Sequence, residues 1–154
     1  MRKADREIKE LSQIVDVIER ADTLRLGLYG EDYPYIVPVS YCYEVEDEEV
    51  IFYIHGAQVG KKHDLIEKDN RVCIETDICH RFVEVKNDVT CEYESIIGYG
   101  HVEKIINCNE MKKALSLILK HCHLESYTYN DAVLSVLTIY KIKVNRITGK
   151  KRVV

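Results

Sequence analysis

The spacing of short apolar runs constrains the fold of this 154-residue chain more than any other feature of the sequence. Each run is rich in β-branched and aromatic residues, which favour strands, and most runs are joined only by turn-forming residues. Links this short join antiparallel neighbours, whereas parallel strands need crossover helices that the sequence mostly lacks. Seven runs are predicted as strands: 24–29, 35–43, 50–54, 71–78, 81–86, 93–105 and 137–149.

Three segments show the periodicity of helices instead. The first spans 3–21, and the second is a short helix at about 60–69. The third spans 107–122, where Asn107 and Glu110 predict a start that resembles a capping box. Together the elements predict a mainly β (α+β) fold, a six- to seven-stranded antiparallel β-barrel with flanking helices, in a single domain of residues 1–154.

Charge and composition argue against several classes of protein. The formal net charge of −4 provides no basic field, so nucleic acid is not an expected partner. The N-terminus has no apolar signal segment and no run approaches a membrane span, so we expect a cytoplasmic protein without a membrane partner. Six cysteines without C-x-x-C spacing are expected to be reduced thiols. The adjacent Cys and His residues at 79–80 and 121–123 lack the spacing of a structural metal site, and no metal is predicted.

Pro38 interrupts the second predicted strand. Because proline has no N–H to donate to a strand ladder, it indicates an edge strand, a bulge or a place where the sheet opens towards a ligand.

The segment HGAQVGKK (55–62) joins a strand to a helix and carries more charge than a simple connection needs. Two lysines at the positive end of a helix dipole are mildly unfavourable unless an anion lies between them and the helix. Gly60 would allow close approach to the free N–H groups of the helix, and Lys61 and Lys62 would supply positive charge, so the segment can bind a phosphate. The alternative is a solvated turn with two surface lysines.

His55 ends the strand that precedes this segment. Its ability to change charge near neutral pH suits proton delivery or a contact with a ligand that lies over the sheet. The alternative is a histidine that is hydrogen-bonded within a turn.

Three stretches together resemble one known family in order and spacing: YPYIVPVSYCYE (33–44), VIFYIHGAQVGKKHDLIEKDNRVCIETD (50–77) and CEYESIIGYGHVEKI (91–105). They look like the FMN-binding split barrel of the pyridoxamine 5'-phosphate oxidase superfamily, and more closely like its nitroimidazole-resistance (Nim-like) branch. The opening RKADREIKE and the closing ITGKKR are also similar to that branch. The resemblance implies a split β-barrel that forms a homodimer with FMN at each of two sites between the subunits.

The resemblance also implies roles for matching positions of this chain. Val37, Pro38, Val39, Ser40 and Tyr41 match a strand that runs beside the isoalloxazine ring and forms backbone hydrogen bonds with it. Ile54 and His55 match the end of the neighbouring strand, beside the flavin, and Lys61 and Lys62 match the basic pair that holds the FMN phosphate. Ser95 and Ile96 match a strand that approaches the flavin from the partner subunit. His55 is the candidate catalytic residue.

Two departures from the family pattern qualify these roles. Nim-like sequences often carry an arginine where this chain has Glu94, and a carboxylate there could not bind a phosphate. The chain also has no Trp and lacks the longer C-terminal part of the true oxidase, so oxidation of pyridoxamine phosphate is not expected.

The first hypothesis is an FMN-dependent reductase of small molecules such as nitroaromatic (5-nitroimidazole) compounds, with a nicotinamide donor, NAD(P)H. The alternative is a flavin- or haem-binding module without turnover, such as a sensor or carrier, and a deazaflavin is a third candidate for the pocket.

Overall fold

The computed structural model describes residues 3–154 of the chain. These residues form eight strands, three α-helices and two short 3₁₀ turns, at Ala4–Arg6 and Asp131–Ser135. The helices are α1 (Leu11–Arg20), α2 (Lys61–Lys68) and α3 (Cys108–His121). The strands are β1 (Glu7–Ile8), β2 (Leu24–Leu28), β3 (Tyr35–Val39), β4 (Tyr41–Glu46), β5 (Glu49–Ala57), β6 (Arg71–Val85), β7 (Asp88–Lys104) and β8 (Leu137–Arg152).

All strands belong to one antiparallel sheet, in the order β3-β2-β6-β7-β8-β5-β4, and β1 pairs with β8 outside this path. β3 and β4 are consecutive in the chain but lie at opposite ends of the order, so the two free edges of the sheet meet at Ser40. Within residues 3–154 no ladder closes the sheet there. The predicted antiparallel split barrel with flanking helices is therefore confirmed, with one more strand than the six or seven expected.

The helix predicted over 3–21 is shorter than the sequence pattern indicated. Residue Glu10 has an extended backbone (ψ 131°), and α1 begins only at Leu11. Glu7 and Ile8 form β1 opposite Lys150 and Gly149. Ile8 is buried, as the helical pattern required, but it reaches the core from a strand.

Two strand predictions also needed correction. The run 35–43 is two strands, because the chain leaves β3 at Ser40 and joins the opposite edge of the sheet as β4. The runs 71–78 and 81–86 are one continuous strand, β6. His80 is an extra residue there, since Cys79 pairs with Tyr93 and Arg81 with Glu92.

The main core fills the inside of the curved sheet and is covered by α1. Ile14, Val17 and Ile18 form the buried face of α1. The hydroxyl of Tyr41 lies 2.5 Å from the carbonyl oxygen of Ile18 and 2.7 Å from that of Ala21. The hydroxyl can therefore donate a hydrogen bond at the buried C-terminal end of α1, where carbonyl groups lack helical partners.

A second, smaller core lies under α3, which packs on β4 and β5. The side chain of Asn107 caps α3 by accepting hydrogen bonds from the N–H groups of Asn109 (2.9 Å) and Glu110 (3.1 Å). The carboxylate of Glu110 instead lies 3.6 Å from Lys141, so only half of the predicted capping box forms. Within residues 3–154, no helix combines the length and the apolar character needed to cross a bilayer.

Candidate functional site

The connection from β5 to α2 places the basic segment beside the free edge of β3. The ammonium group of Lys61 lies 5.1 Å from the centroid of the Tyr35 ring, which joins the start of α2 to β3. Gly60 has φ 138°, a conformation that side-chain-bearing residues rarely adopt, and it precedes α2 without a capping side chain. The first turn of α2 therefore presents N–H groups that no protein side chain caps.

Lys62 is half-buried at this junction. Its Nζ atom lies 2.9 Å from the position that a Cβ atom on Gly56 would occupy, so the ammonium rests directly against the backbone of β5. Burial lowers the pKa of Lys62 from its ordinary value. Among the residues that the structure describes, no carboxylate lies within 4.0 Å of Lys61 or Lys62. A cation partly withdrawn from water without a counter-ion is unfavourable, and a bound anion would relieve this.

His55 lies on β5 opposite Ile139 of β8. Its Nδ1 atom is buried and has no hydrogen-bond partner within the described part of the chain. Burial, and then the charge of Lys62, lower the pKa of His55, so the imidazole is neutral at pH 7. Buried polar atoms in proteins are nearly always paired, which makes this nitrogen a candidate contact for a ligand.

His63 and Tyr140 lie on the same side of β5 as the Lys62 ammonium and were not singled out from the sequence. His63 is only 7% exposed, and its Nδ1 lies 2.8 Å from the hydroxyl of Tyr140 on β8. Burial lowers the pKa of His63, and the charges of Lys62 and Lys104 lower it further. In the sequence, only the position of His63 directly after Lys61 and Lys62 could have pointed to it. That its side chain points inward is visible only in the fold.

β3 supplies an unpaired backbone edge next to this cluster. Within residues 3–154, β3 pairs only with β2, where Pro38 faces Arg25. The outer edge of Tyr35–Val39 therefore has backbone groups without strand partners, and the position of Pro38 at an edge strand is confirmed. Val37 and Val39 are half-buried, whereas Pro38 and Ser40 are exposed.

Three of the predicted cofactor contacts have side chains that belong to the core. Tyr41, Ile54 and Ile96 are fully buried in the main core, so only their backbone groups can face a ligand. Ser95 is half-buried on β7, between Asp77 and Lys150 on the neighbouring strands. In the sheet order, β8 lies between β7 and β5, so Ser95 is not a neighbour of the β5–α2 junction within the same protomer. The predicted role of Ser95 and Ile96, a contact with the flavin from a partner subunit, stays a prediction.

Glu94, which stands where the family often has arginine, has partners of its own within the chain. Its carboxylate lies 2.8 Å from the guanidinium of Arg20 on α1 and 3.1 Å from Nε2 of His80. The carboxylate of Glu94 is therefore paired within the chain.

The adjacent Cys and His residues do not converge on a common point. Among residues 3–154 there is no group of three or more Cys, His, Asp or Glu side chains that could hold a metal ion. The ring centroid of His121 lies 4.7 Å from that of Tyr41, with the two planes tilted by 44°, while the sulfur of Cys79 lies 3.2 Å from that of Cys91.

An apolar groove of about 730 Å³ lies on the outer face of β2, β3, β6 and β7. It is lined by residues that include Tyr29, Tyr33, Ile36, Tyr99 and His101. A smaller cleft of about 270 Å³ lies between α2 and the segment 31–35, and Lys61 lines it. The two share Asp32, Tyr33 and Pro34, so the basic junction and the groove are on adjoining surfaces.

These features define a split barrel with a basic, incompletely paired site at the start of a helix. The sequence model of the family described as Pyridoxamine 5'-phosphate oxidase matches residues 10–151. The chain therefore belongs to the pyridoxamine 5'-phosphate oxidase family, which confirms the resemblance found in its motifs.

Solved structures show the same relationship. A proposed 5-nitroimidazole antibiotic resistance protein from Bacteroides thetaiotaomicron is 28% identical, with a TM-score of 0.84 over 94% of this chain and 85% of the other. The flavocytochrome Anf3 from Azotobacter vinelandii is 11% identical, with a TM-score of 0.83 over 100% of this chain and 72% of the other. An FAD- and heme-binding protein from Mycobacterium smegmatis is 12% identical, with a TM-score of 0.77 over 95% of this chain and 73% of the other.

Within the family, the chain is similar to the nitroimidazole-resistance branch, as its motifs predict. The other two structures share the fold, and the fold is thus one in which known proteins bind flavins. The comparison with curated proteins gives no significant match.

Proposed function

We propose that the protein binds FMN and reduces small molecules, such as nitroaromatic compounds, with electrons from a nicotinamide donor. The observation that carries the proposal is the half-buried Lys62 ammonium, which has no ion-pair partner among the described residues, at a helix start without a capping side chain. These groups fit a phosphate-bearing cofactor, because a phosphate dianion offers several acceptor oxygens and compensates buried positive charge. The family relationship and the similarity to a proposed nitroimidazole-resistance protein support the flavin and the substrate class.

In this proposal, the chain binds and orients FMN in three places. Lys61, Lys62 and the N–H groups at the start of α2 hold the phosphate. The free backbone edge from Val37 to Tyr41 forms hydrogen bonds with the ring system. Ser95 and Ile96 approach from a second copy, so the proposed assembly is a homodimer with each site between subunits.

His55 is the proposed group for holding or moving a proton. Its ring is neutral near pH 7, because burial and the charge of Lys62 oppose a second proton on Nδ1. A phosphate next to Lys62 would offset that charge and move the pKa of His55 back towards its ordinary value. When bound, FMN supplies the redox chemistry itself, accepting a hydride from the donor and passing electrons to the substrate.

FMN titration of the purified protein tests the proposal. We expect the protein to show flavin absorption bands, either as purified or after incubation with FMN. The double variant Lys61→Ala/Lys62→Ala should bind FMN about tenfold to hundredfold more weakly, because two charge-assisted contacts to the phosphate are lost. Its thermal unfolding midpoint should change little, since neither lysine forms an ion pair in the described chain.

A matched control is Lys120→Ala, which removes an exposed lysine from the far end of α3 and should leave FMN affinity unchanged. A protein that retains no flavin and gains no bands with FMN contradicts the proposal. Equal losses of FMN affinity and of stability in the double variant would instead assign the lysines a structural role.

A second candidate function is a flavin- or haem-binding module without turnover. The similarity in fold to a flavocytochrome and to an FAD- and heme-binding protein favours it. The two candidates differ in one assay, the consumption of NAD(P)H with a nitroimidazole as acceptor. Bound cofactor without consumption of NAD(P)H on any acceptor supports the second candidate, and mass spectrometry of the co-purified cofactor distinguishes FMN, FAD, haem and deazaflavin.

A further inference from the structure

Two cysteines face each other across the hairpin formed by β6 and β7. The sulfur atoms of Cys79 and Cys91 are 3.2 Å apart. Both are free thiols. Elsewhere in the described chain, the cysteine sulfurs that form contacts do so with carbonyl oxygens, as in Cys42 with Ala114 and Cys73 with Ile74. The contact between Cys79 and Cys91 is thus of a different kind.

The bulge at His80 creates this contact. Cys79 pairs with Tyr93 and Phe82 pairs with Cys91, so the two cysteines are diagonal neighbours on one face of the hairpin. Diagonal neighbours in a regular ladder are usually too far apart for short side chains to meet. The extra residue bends β6 and increases its twist, which brings the Cys79 sulfur towards β7.

The hairpin segment that carries the pair is separate from the rest of the sheet. β2 pairs with β6 only at residues 72–75, and β8 pairs with β7 only from Tyr93 onward. Among the described residues, 80–92 therefore form strand pairs only with each other, as a two-stranded arm. Its tip is a tight turn at Lys86 and Asn87, both with positive φ.

The two thiols differ in exposure. Cys79 is exposed to solvent, whereas Cys91 is half-buried. The hydrogen bond with Cys79, together with burial, raises the pKa of Cys91. A small reagent can therefore reach Cys79 first, and Cys91 is the adjacent thiol that can react with the product.

We propose that Cys79 and Cys91 are a reversible thiol–disulfide pair that is oxidised by small organic disulfides such as oxidised glutathione. The Cys79 thiolate attacks the small disulfide, forms a mixed disulfide and releases one small thiol. The Cys91 thiolate then attacks the Cys79 sulfur and releases the second small thiol. In total the two protein thiols lose two electrons and two protons, and the small disulfide gains them as two thiols.

The disulfide would join the arm to the sheet at its base. The two cysteines are twelve residues apart in sequence and enclose the arm, so the bond would limit opening of this segment. It would also fix the bulge that carries His80, whose ring contacts Glu94. The pair is a site of modification that is independent of the proposed flavin site, since it needs no cofactor.

Oxidation in glutathione buffers tests the proposal. The reduced protein is incubated with excess oxidised glutathione, alkylated and mapped by peptide mass spectrometry. We expect a Cys79–Cys91 disulfide as the main product, with the loss of two hydrogens, and its complete reversal by reduced glutathione. Hydrogen exchange at the amides of residues 81–90 should be roughly tenfold or more slower in the oxidised form, because the arm opens less often.

Two variants complete the test. Cys91→Ser should stop the reaction at a stable mixed disulfide with glutathione on Cys79. Cys108→Ser, which removes an exposed cysteine at the start of α3, should still form the Cys79–Cys91 bond at the wild-type rate. Glutathione that remains on Cys79 in the wild-type protein, or oxidation distributed equally among all exposed cysteines, overturns the proposal. Because Cys79 is exposed, Cys79→Ser is expected to fold, and it should show no intramolecular disulfide.

Discussion

Lys62 is the residue on which the proposed site depends most. Its partly buried ammonium lies against Gly56, where the absence of a side chain leaves room for it. The sequence pattern had treated Lys61 and Lys62 as an equivalent pair. In the fold they differ, because Lys61 is exposed beside Tyr35 and Lys62 is half-buried against Gly56.

The substitution Gly56→Ala tests the position of the Lys62 ammonium, because it adds one methyl group next to it. The new Cβ would meet Lys62 Nζ at 2.9 Å and Cε at 3.6 Å, so the lysine side chain must move. We expect about a tenfold loss in FMN affinity, with a change in the free energy of unfolding of less than about 1 kcal/mol because the lysine end is flexible. In a Lys62→Ala background the same substitution should have little further effect on FMN affinity, as a double-mutant cycle would show. Additive losses of FMN affinity would show that Gly56→Ala acts through a group other than Lys62.

Two histidines, His55 and His63, predict a pH dependence of stability. Burial lowers the pKa of both His55 and His63 in the folded protein. As pH falls through about 6.5, the unfolded chain takes up protons that the folded chain does not, so the free energy of unfolding decreases towards acid. The free energy of unfolding can decrease by at most about 1.4 kcal/mol per pH unit for each additional proton that the unfolded chain binds. Urea unfolding of the flavin-free protein from pH 7.5 to 5 should show this loss.

His63→Asn should make that loss smaller, because one buried imidazole no longer resists protonation. The control is His123→Asn, since His123 is exposed and its positive φ is one that asparagine tolerates. A pH dependence that is the same in His63→Asn and in the wild-type protein contradicts the assignment.

At the scale of elements, two bulges shape the long strands β6, β7 and β8. His80 is the extra residue in β6, and Asn145 is the extra residue in β8, where Tyr99 pairs with Arg146 and Gly100 with Val144. Bulges bend and twist strands, which lets a sheet of this length curve around its core. At the second bulge β7 and β8 approach so closely that only glycine fits at position 100.

Gly100→Ala should destabilise the protein by about 2–4 kcal/mol. Its Cβ would lie 2.0 Å from the carbonyl oxygen of Lys143, and backbone atoms in a ladder cannot move away easily. Gly27→Ala is the matched control in β2, because its Cβ would meet Cys73 at an ordinary 3.5 Å. Chemical denaturation of both variants gives the comparison. Equal stability of the two would show that the bulge relaxes around a side chain.

At the scale of the whole molecule, the outer apolar groove is the surface that the proposed homodimer would cover. Tyr33 is 82% exposed and Ile36 is 65% exposed there, and Tyr29 and Tyr99 lie beside them under the guanidinium groups of Arg71 and Arg146. Exposed apolar patches of this kind mark interfaces. The groove adjoins the cleft that Lys61 lines, so a second copy seated in it would also be next to the phosphate site.

Ile36→Lys should therefore shift the protein from dimer to monomer and weaken FMN binding with it. Light scattering after size exclusion measures the first effect and flavin titration the second. Ile106→Lys places the same charge at an exposed isoleucine (86%) outside the groove and should change neither. A monomeric wild-type protein that binds FMN tightly would contradict the proposed assembly.

The sequence by itself determined the local features of this protein. Runs rich in β-branched and aromatic residues, joined by short links, predicted an antiparallel, mainly β fold. Pro38 indicated an edge, a bulge or an opening in the sheet, and HGAQVGKK marked the basic junction. These properties depend on residues close together in the chain, where backbone sterics and hydrogen-bonding capacity act directly.

Only the tertiary structure decided which strands pair and which side chains lose contact with water. The meeting of the sheet edges at Ser40, the burial of Lys62 and His63, and the contact of Cys79 with Cys91 depend on partners distant in sequence. Ile8 shows the reason, since its apolar character predicted burial but could not specify whether a helix or the strand beside Gly149 would provide it. Burial depends on packing between residues that are distant in sequence, and a local sequence pattern does not specify those contacts.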